Sequence, residues 1–353
     1  IMDFESIAST NSATRARRFA KVSKNRDLSN ICIIFVLDKD LTYMNDNIFV
    51  VYDRNVADFA HKIAEGRPAL PIIADEEHKT MDSVLDICRW LLAEGADRNA
   101  IIYAVGGGVT TDLAGFAASI YKRGVKYVNY PTTLLCQVDA GIGGKTGVNL
   151  DSYKNMVGLI RFPADTRIYP ETLRTLPLRE LRSGAAELLK TFIIEDKGNY
   201  EKAVAALSGE VDFNALAPLV KAAADIKRKI VAKDPFEEGP RRLLNLGHTY
   251  AHAIEWHQHT HAAADPMTHG EAVAAGMIQA ARLSEKLGIA QDGLSEKLKS
   301  DFLACGLPVE LPCPEEELEQ AMRKDKKAEN GIIHFVLIQR IGKVIIKDIH
   351  DLH

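Results

Sequence analysis

Short apolar runs alternate with stretches of helical periodicity through the first half of the chain. The runs at 31–37, 48–52, 70–74 and 100–105 have the length and the composition of buried strands. Residues 81–94, between the last two runs, place apolar side chains at helical spacing. Because such an alternation folds as a parallel sheet covered by helices on both faces, we predict a Rossmann-like α/β domain. Sheets of that kind bind ligands beyond the carboxyl ends of their strands.

Helical patterns dominate after about residue 170, and short strands return only near the end of the chain. The predicted helices are 177–194, 213–232, 243–257, 267–287 and 315–327, and the predicted strands are 332–338 and 343–346. We therefore predict a mostly α-helical C-terminal domain over 171–353, after a nucleotide-binding α/β domain over 46–170. Residues 1–45 form an N-terminal extension with a first strand in this scheme. A cleft between the two domains is the predicted ligand site.

The overall charge and the cysteine content argue against several classes of protein. The 353 residues carry 44 Lys and Arg against 48 Asp and Glu, for a net charge of −4, so neither nucleic acid nor a membrane surface is expected as the main partner. No apolar run reaches the roughly 18 residues of a membrane span. The five cysteines are odd in number and none is spaced CxxC. We therefore expect neither a disulfide framework nor a cysteine zinc site, but a reducing, cytoplasmic location.

A glycine-rich turn follows the apolar run at 100–105 and leads into helical sequence at 113–121. Gly106, Gly107 and Gly108 form the turn, and a strand–glycine–helix unit brings phosphates to backbone N–H groups at a helix start. It is not the Rossmann fingerprint, because a threonine stands where the third glycine belongs. Asp112 argues against a simple diphosphate cradle and suits a hydroxyl or amide donor. A tight structural turn explains the glycines equally well.

A second glycine-rich stretch, 139–147, imitates a phosphate-binding P-loop. That motif requires a glycine five residues before its Gly-Lys pair, and Asp139 occupies the place. We therefore reject the P-loop interpretation. The stretch still predicts Lys145 in a flexible setting beside Asp139, where it suits contact with a polar ligand.

The histidines are concentrated late in the chain, and two of them have metal-ligand spacing. His248 and His252 are four apart and share one face of a predicted helix, with Asn245 one turn earlier on it. The residue after His248 is threonine, so the metalloprotease motif, which needs glutamate there, is disfavoured. His269 opens a further helical segment. Two imidazoles and a carboxylate would suit Zn²⁺ or a similar ion; satisfied core histidines are the alternative.

Other charged side chains complete the predicted site. Glu187 and Lys190 lie three apart on one helical face. Seven cations stand near the motifs: Arg123, Lys145, Lys154, Lys190, Lys227, Arg241 and Lys326. If they converge, the ligand carries more than one negative charge, and phosphate plus carboxylate is the natural expectation. The remaining cluster of His257, His259 and His261 is expected to be a solvated loop rather than a set of ligands.

These motifs together resemble the 3-dehydroquinate synthases, a family within the sugar phosphate cyclases. The resemblance rests on GGGVTTDLAGFAA, YKRG, PTTLL, VDAGIGGKTGVN, KNMVG, LPLRELRSGAAELLK, LNLGHTYAHAIE, HGEAVAAGM and the late Lys-Asp-Lys-Lys. They occur in family order over about 48–346. The resemblance implies a dehydroquinate synthase-like fold. It also implies a homodimer, because the family places the equivalent of Arg123 in the site of the neighbouring subunit.

The family implies NAD in the first domain and one divalent metal, zinc or cobalt, in the second. Matched position by position, the metal ligands are Glu187, His248 and His269, with His261 as a competitor for the third place. The NAD contacts are Asp53, Asn55, Glu76, Lys79, Gly107, Gly108, Asp112, Thr132, Thr133, Asp139, Lys154 and Thr175. The substrate and catalytic residues are Arg123, Asp139, Lys145, Asn155, Lys190, Lys227, Arg241, Asn245, His252 and Lys326, with Lys327 as the alternative to Lys326.

The chemistry that the family implies begins with the sugar acid phosphate 3-deoxy-D-arabino-heptulosonate 7-phosphate (DAHP). A hydroxyl is oxidised by NAD, phosphate leaves by β-elimination, the hydride returns, and an aldol closure forms the ring of 3-dehydroquinate in the shikimate pathway. The proton shuttle is then His252. The carboxylate is assigned to Lys227 and Arg241, and the phosphate to Asn155, Lys190 and Lys326.

Three other functions remain open on the sequence. A cyclase of the valiolone or deoxy-inosose type acts on sugar phosphates without the carboxylate, but this chain keeps Lys227, Arg241 and Asn245. A metal-dependent polyol dehydrogenase would release NADH and would not need the cations. A non-catalytic nucleotide-binding protein would have no use for the Lys, His, Glu and Asn set, which is intact here.

Overall fold

The computed structural model describes residues 47–151, 153–326 and 333–349. The strand predicted at 31–37, like the rest of the extension over 1–45, lies outside these residues. The described part contains nine strands and ten helices. The strands are β1 (Ile48–Asp53), β2 (Ala69–Ile72), β3 (Ile101–Gly106), β4 (Lys126–Pro131), β5 (Lys145–Leu150), β6 (Tyr153–Ile160), β7 (Asp165–Thr166), β8 (Ile333–Arg340) and β9 (Lys343–Ile349). The helices are α1 (Ala57–Ala64), α2 (Met81–Ala93), α3 (Gly108–Ile120), α4 (Leu178–Glu195), α5 (Lys197–Leu207), α6 (Phe213–Lys233), α7 (His248–Thr260), α8 (His269–Lys286), α9 (Leu294–Ala304) and α10 (Glu315–Lys326).

A five-stranded parallel sheet organises the first half of the chain, as the alternating pattern predicts. Its order is β2-β1-β3-β4-β7, and every neighbouring pair is parallel. The three predicted strands within the described residues are all present, and β4 and β7 were not predicted. All six residues of β3 are buried, and α2 packs Val84, Ile87 and Leu91 into the same core. The carboxyl ends of β1 to β4 therefore share one edge of the sheet.

Lys145 is not in a flexible loop, so that part of the prediction is wrong. It is the first residue of β5, which pairs with β6 as an antiparallel ribbon through Lys145 opposite Ile160. Glycine permits this pairing because the backbones are very close: a Cβ on Gly158 would lie 2.1 Å from the carbonyl oxygen of Thr146. Gly147 of the glycine-rich stretch and Gly158 opposite it therefore serve strand contact rather than chain mobility.

The second half is mostly helical and has its own hydrophobic core. The central helices α4 and α8 are buried along most of their length, and the cluster around them is separate from the one beneath the sheet. The predicted terminal strands form the antiparallel ribbon β8–β9, whereas α1, α5 and α9 were not predicted. No described helix is long and apolar enough to cross a membrane. The domain limits at 45/46 and 170/171 stay predictions.

The helix predicted over 243–257 is interrupted, and this corrects the placement of Asn245. A 3₁₀ turn covers Pro240–Asn245, and α7 begins only at His248, after Gly247 at φ +81°. The break has a packing reason, because a Cβ on Gly276 in α8 would lie 2.1 Å from the carbonyl oxygen of Gly247. Asn245 is therefore not on the helix face of His248. It reaches the same region from a separate segment.

Candidate functional site: a nucleotide-type sheet edge beside a buried carboxylate–histidine cluster

Residues predicted to contact NAD lie at the carboxyl ends of four neighbouring strands. Asp53 ends β1 and caps the turn after it, accepting a hydrogen bond from the backbone N–H of Asn55 at 2.9 Å. Glu76 follows β2 and Gly107 follows β3. Thr132 follows β4, and its N–H donates to the carbonyl at the end of β3. The order of the sheet therefore brings together residues that the sequence spreads over about eighty positions.

The glycine turn before α3 is required by close packing and leaves a helix end without a side-chain cap. A Cβ on Gly106 would lie 2.2 Å from Oγ1 of Thr110, and one on Gly107 would lie 3.0 Å from Cγ2 of Thr133. Gly107 is the N-cap of α3, and no side chain accepts from the first turn there. Uncapped N–H groups at a helix start favour an anionic or polar ligand. The helix begins at Gly108, five residues before the prediction.

Asp112 in this helix is already paired, which removes much of the argument against an anion at the turn. The ammonium of Lys79 donates to Oδ2 of Asp112 at 2.6 Å and to Oδ1 of Asn155 at 2.5 Å. Burial outweighs the Lys79 charge and raises the pKa of Asp112 to about 6. Asn149 extends the network, because its side chain bonds Oε2 of Glu76 at 2.9 Å and the N–H of Asn155 at 2.9 Å. Sequence reasoning missed Asn149.

Three side chains from three helices converge on one point in the helical half. Glu187 lies in α4, His248 opens α7 and His269 opens α8. Oε1 of Glu187 is 3.8 Å from Nε2 of His248 and 3.6 Å from Nε2 of His269. One ligand atom from each lies within 4.8 Å of the others. A capping box between Thr268 and Glu271 fixes the start of α8 and so the position of His269.

The surroundings of Glu187 fit a bound divalent metal. The residue is fully buried, and its Oε2 lies 2.5 Å from the ammonium of Lys190. Oε1 has no hydrogen-bond partner and faces Nε2 of His248 at 3.8 Å and Nε2 of His269 at 3.6 Å. A buried charged oxygen without a hydrogen bond is costly unless a cation satisfies it. One carboxylate and two imidazoles form a donor set that zinc or cobalt prefers, with positions left for substrate oxygens.

The electrostatics of the cluster favour one charged carboxylate and one neutral imidazole. Burial would raise the pKa of Glu187, but Lys190 and the two histidines hold it well below its usual range. Burial and the Lys190 charge lower the pKa of His248 to about 3, which leaves a ring nitrogen free to bind a cation. His269 behaves oppositely: burial would lower its pKa, but Glu187 and Glu255 together raise it to about 10. A metal would therefore displace a proton at His269.

Glu255 supports this cluster, although sequence reasoning did not select it. It lies in α7, and Oε1 is 3.5 Å from Nδ1 of His269 and 3.3 Å from the ammonium of Lys154 on β6. A carboxylate on the second ring nitrogen of a metal-binding histidine orients the ring and raises its basicity. The sequence signal that could have identified Glu255 is its position seven residues after His248 on the same helix. Lys154 reaches the cluster through Glu255.

A second group of cations meets where the sheet half and the helical half touch. Lys227 and Arg241 are both buried, and a Cβ on Gly143 would lie 2.7 Å from a guanidinium nitrogen of Arg241 and 3.8 Å from Cε of Lys227. Lys227 forms a close ion pair with Asp139. Arg241 donates to the carbonyls of Gly143 at 2.8 Å and Pro235 at 2.6 Å. The structure thus brings together the two residues assigned to a carboxylate.

Glu237 links three predicted substrate residues, and no sequence motif pointed to it. Its carboxylate forms a close ion pair with Lys145, accepts from Nδ2 of Asn245 at 2.9 Å, and lies 3.9 Å from Nε of Arg241. Burial would raise the pKa of Glu237, but these contacts lower it. The backbone at Glu237 is left-handed, with φ +63°. Asp234 holds the loop by accepting from three following N–H groups.

The remaining predicted site residues are His252, Thr175, Arg123 and Lys326. The exposed His252 contacts the ring of His248 edge-on, with 5.5 Å between centroids. Thr175 ends the 3₁₀ turn Pro170–Thr175, and Arg123 is exposed on the turn after α3. The backbone of Lys326 ends α10, and its side chain, like all of residue 327, lies outside what the structure describes.

The histidine-rich segment is helical, not a loop, which corrects the prediction. His257 and His259 belong to the last turns of α7, and His261 caps the helix. The ring of His261 stacks on His257 with 4.1 Å between centroids. His269, rather than His261, lies beside Glu187.

Family models and similar proteins both match this chain to the 3-dehydroquinate synthases. The model for the 3-dehydroquinate synthase N-terminal region matches residues 69–183, and that for the C-terminal region matches 184–328. The 3-dehydroquinate synthase of Acidithiobacillus ferrooxidans is 40% identical over 312 residues, which cover 85% of this chain and 84% of the relative. That of Legionella pneumophila is 38% identical over 331 residues, which cover 90% and 89%.

A solved structure of a related enzyme shares most of the architecture. The 2-epi-5-epi-valiolone synthase of Streptomyces hygroscopicus, with NAD⁺ and Zn²⁺ bound, matches with a TM-score of 0.76 and 28% identity, covering 87% of this chain and 88% of that chain.

Removal of one imidazole should remove the metal at Glu187. We expect His248→Ala to lower the metal content by one equivalent per chain and to weaken binding more than about 100-fold, because it removes a ligand and not merely its support. Metal analysis after dialysis against a metal buffer measures this, with the exposed His259→Ala as the matched control. Circular dichroism should show that chelation leaves the helices folded. Unchanged metal content in His248→Ala, or a loss in His259→Ala, would contradict the assignment.

Proposed function

The chain belongs to the 3-dehydroquinate synthase family, and we propose that it converts DAHP into 3-dehydroquinate and phosphate. The observation that carries the proposal is the cluster of the buried Glu187 with the partly buried His248 and His269, beside the buried cations Lys190, Lys227 and Arg241. A site with this charge suits a substrate with two anionic groups and oxygens that bind a metal. The identity of 38–40% to dehydroquinate synthases, against 28% to the valiolone synthase, favours the acid substrate.

The cofactors follow from the same residues. NAD fits the sheet edge formed by the ends of β1 to β4, and one divalent metal, zinc or cobalt, fits Glu187, His248 and His269. When bound, they supply a reversible hydride acceptor and Lewis acidity at substrate oxygens. Glu255 holds His269 in orientation for that metal through the contact at 3.5 Å.

The cations of the site are paired with acidic side chains before any substrate binds. Lys227 contacts Asp139, and Lys145 contacts Glu237. These carboxylates hold the ammonium groups of the buried Lys227 and the exposed Lys145 in place. A substrate carboxylate or phosphate would then meet preorganised donors, and it would not have to order long, flexible side chains.

Each part of the substrate has an assigned set of residues. We assign the carboxylate to Lys227 and Arg241, which meet at Gly143. The phosphate is assigned to Asn155, Lys190 and Lys326. Asn155 contacts Lys79 at the sheet edge, and Lys190 contacts Glu187 beside the two histidines.

Proton transfer is assigned to His252. The exposed side chain keeps it in reach of water and substrate, whereas the neighbouring His248 is committed to the metal position. An imidazole can give and take protons near neutral pH.

Turnover of DAHP should release one phosphate per molecule without accumulation of NADH. The hydride returns to the substrate within each cycle, so the nicotinamide absorbance should stay near zero while phosphate rises. A phosphate assay and absorbance recorded in the same cuvette measure both. Stoichiometric NADH would indicate a polyol dehydrogenase, and preference for sedoheptulose 7-phosphate over DAHP would indicate a valiolone-type cyclase.

Arg241→Ala should reduce turnover of DAHP by about 30- to 1,000-fold, equal to about 2–4 kcal/mol for a lost charge-assisted contact. It should reduce turnover of an analogue without the carboxylate much less. Arg241 also donates hydrogen bonds to two backbone carbonyls, so we expect the variant to fold less completely than the wild type. The ratio of the two rates in one preparation cancels that loss. Equal reductions on both compounds would show that Arg241 does not bind the carboxylate.

We also propose a homodimer in which Arg123 completes the site of the partner. The 13 residues of α3 place Arg123 about 20 Å along the helix from the glycine turn of its own chain. The ribbon strand β6 exposes Tyr153 and Met156 at 66% and 63%, an apolar surface that suits a second copy. Arg161, at the end of this strand, bonds the carbonyl of Val125 at 2.8 Å, so the Arg123 turn and the ribbon lie side by side.

Mixing two inactive variants should restore activity if Arg123 acts across the interface. In a dimer of Arg123→Ala with His248→Ala, one site keeps both residues. After unfolding and refolding together, we expect about a quarter of the sites to be active. Each variant refolded alone is the control. No recovery, with mixed dimers shown by native mass spectrometry, would place Arg123 in its own subunit's site or outside any site.

The location proposed for the protein is a reducing compartment such as the cytoplasm. The four described cysteines, Cys88, Cys136, Cys305 and Cys313, are all free. Burial raises the pKa of Cys136 to about 12 and of Cys305 to about 11. Both side chains therefore stay in the unreactive thiol form at neutral pH.

A further inference from the structure

We propose that His257, Cys313 and Glu317 form a second metal site, which binds a thiolate-preferring divalent cation such as Zn²⁺. It is separate from the cluster at Glu187 and shares no residue with it. One ligand atom from each of the three side chains lies within 4.8 Å of the other two. These positions are not used by the proposed function.

The three residues come from two segments that pack against each other. His257 lies near the end of α7, Cys313 precedes α10, and Glu317 lies in the first turn of α10. Nε2 of His257 is 2.8 Å from Oε2 of Glu317. The histidine side chain is 15% exposed and the glutamate 49%, so the site is shallow but partly shielded from water. An ion could enter from solvent without opening the core.

The combination of donors distinguishes this group from an ordinary ion pair. A His257–Glu317 hydrogen bond needs no third partner, yet the half-buried thiol of Cys313 points to the same place. Imidazole, thiolate and carboxylate together suit Zn²⁺, which binds at about 2.0–2.3 Å to nitrogen, oxygen and sulfur. Mg²⁺ and Ca²⁺ prefer oxygen alone. Small side-chain movements would contract the group to tetrahedral spacing, with water in the fourth position.

Neighbouring contacts hold the histidine in place. The ring of His261 stacks on that of His257, and Nδ1 of His261 is 2.9 Å from the His257 carbonyl. Two turns earlier on α7, the hydroxyl of Tyr250 donates to Glu315 of α10 at 3.2 Å. A bound ion would therefore add a second tie between α7, which carries His248, and α10, which leads to Lys326.

Cobalt titration of the full chain tests the proposal, because the two sites differ in sulfur. The Glu187 cluster has no cysteine, so thiolate-to-cobalt charge-transfer absorption in the near ultraviolet reports the second site alone. Starting from metal-free protein kept under a reductant, we expect this absorption to saturate at one equivalent of Co²⁺ per chain. Zinc analysis should find two equivalents per chain, one at each site.

Variants assign the absorption to the proposed residues. It should disappear in Cys313→Ser and weaken in Glu317→Gln, which is exposed enough to leave folding intact. It should persist in the cysteine control Cys88→Ser, in His259→Asn and in His248→Ala, which removes only the other site. Absorption that is absent, that persists in Cys313→Ser, or that needs millimolar cobalt would overturn the proposal. None of these outcomes bears on turnover of DAHP.

Discussion

The carboxylate of Glu187 is the interaction on which the rest of the site depends. It is fully buried and lies against Lys190, His248 and His269. A buried charge of this kind costs several kcal/mol unless opposite charge or a metal compensates it. The helices α4, α7 and α8 must therefore pack closely and in one register. The contact of Gly276 with the Gly247 carbonyl permits that packing, and it also sets where α7 begins.

Paired charges recur throughout the site and give it a defined shape before ligands arrive. Lys79 is paired with Asp112, Lys227 with Asp139, and Lys145 with Glu237. Lys79 and Lys227 are buried, and such pairs keep buried cations ordered that would otherwise be expelled to solvent. Lys145 is exposed, and Glu237 fixes the position of its ammonium. Substrate anions would then compete with side-chain carboxylates, so binding can be coupled to local rearrangement.

The sequence predicted long, strongly patterned elements better than short or interrupted ones. The strands β1 and β3 and the helices α4, α6 and α8 lie within a few residues of their predicted bounds, because hydrophobic periodicity reflects burial directly. The helix predicted over 243–257 was wrong at its start, since its apolar pattern continues across Gly247 while the backbone does not. The glycines at 143–147 indicated mobility, although in the structure Gly147 lets two strands lie close together, and Gly143 and Gly144 make room for the side chains of Arg241 and Phe162.

What the sequence by itself determined was the order of elements and the inventory of reactive side chains. Both depend on residue type and on spacing within single elements, as for the pair Glu187 and Lys190 on one helix turn. Only the tertiary structure decided which distant residues meet. Glu237 and the group of His257, Cys313 and Glu317 carry no local motif, because their partners lie on other segments. Glu255 lies on the helix of His248, but its partners His269 and Lys154 lie on other elements, so the sequence does not reveal these contacts. Proximity between segments comes from packing, and packing leaves no fixed spacing along the chain.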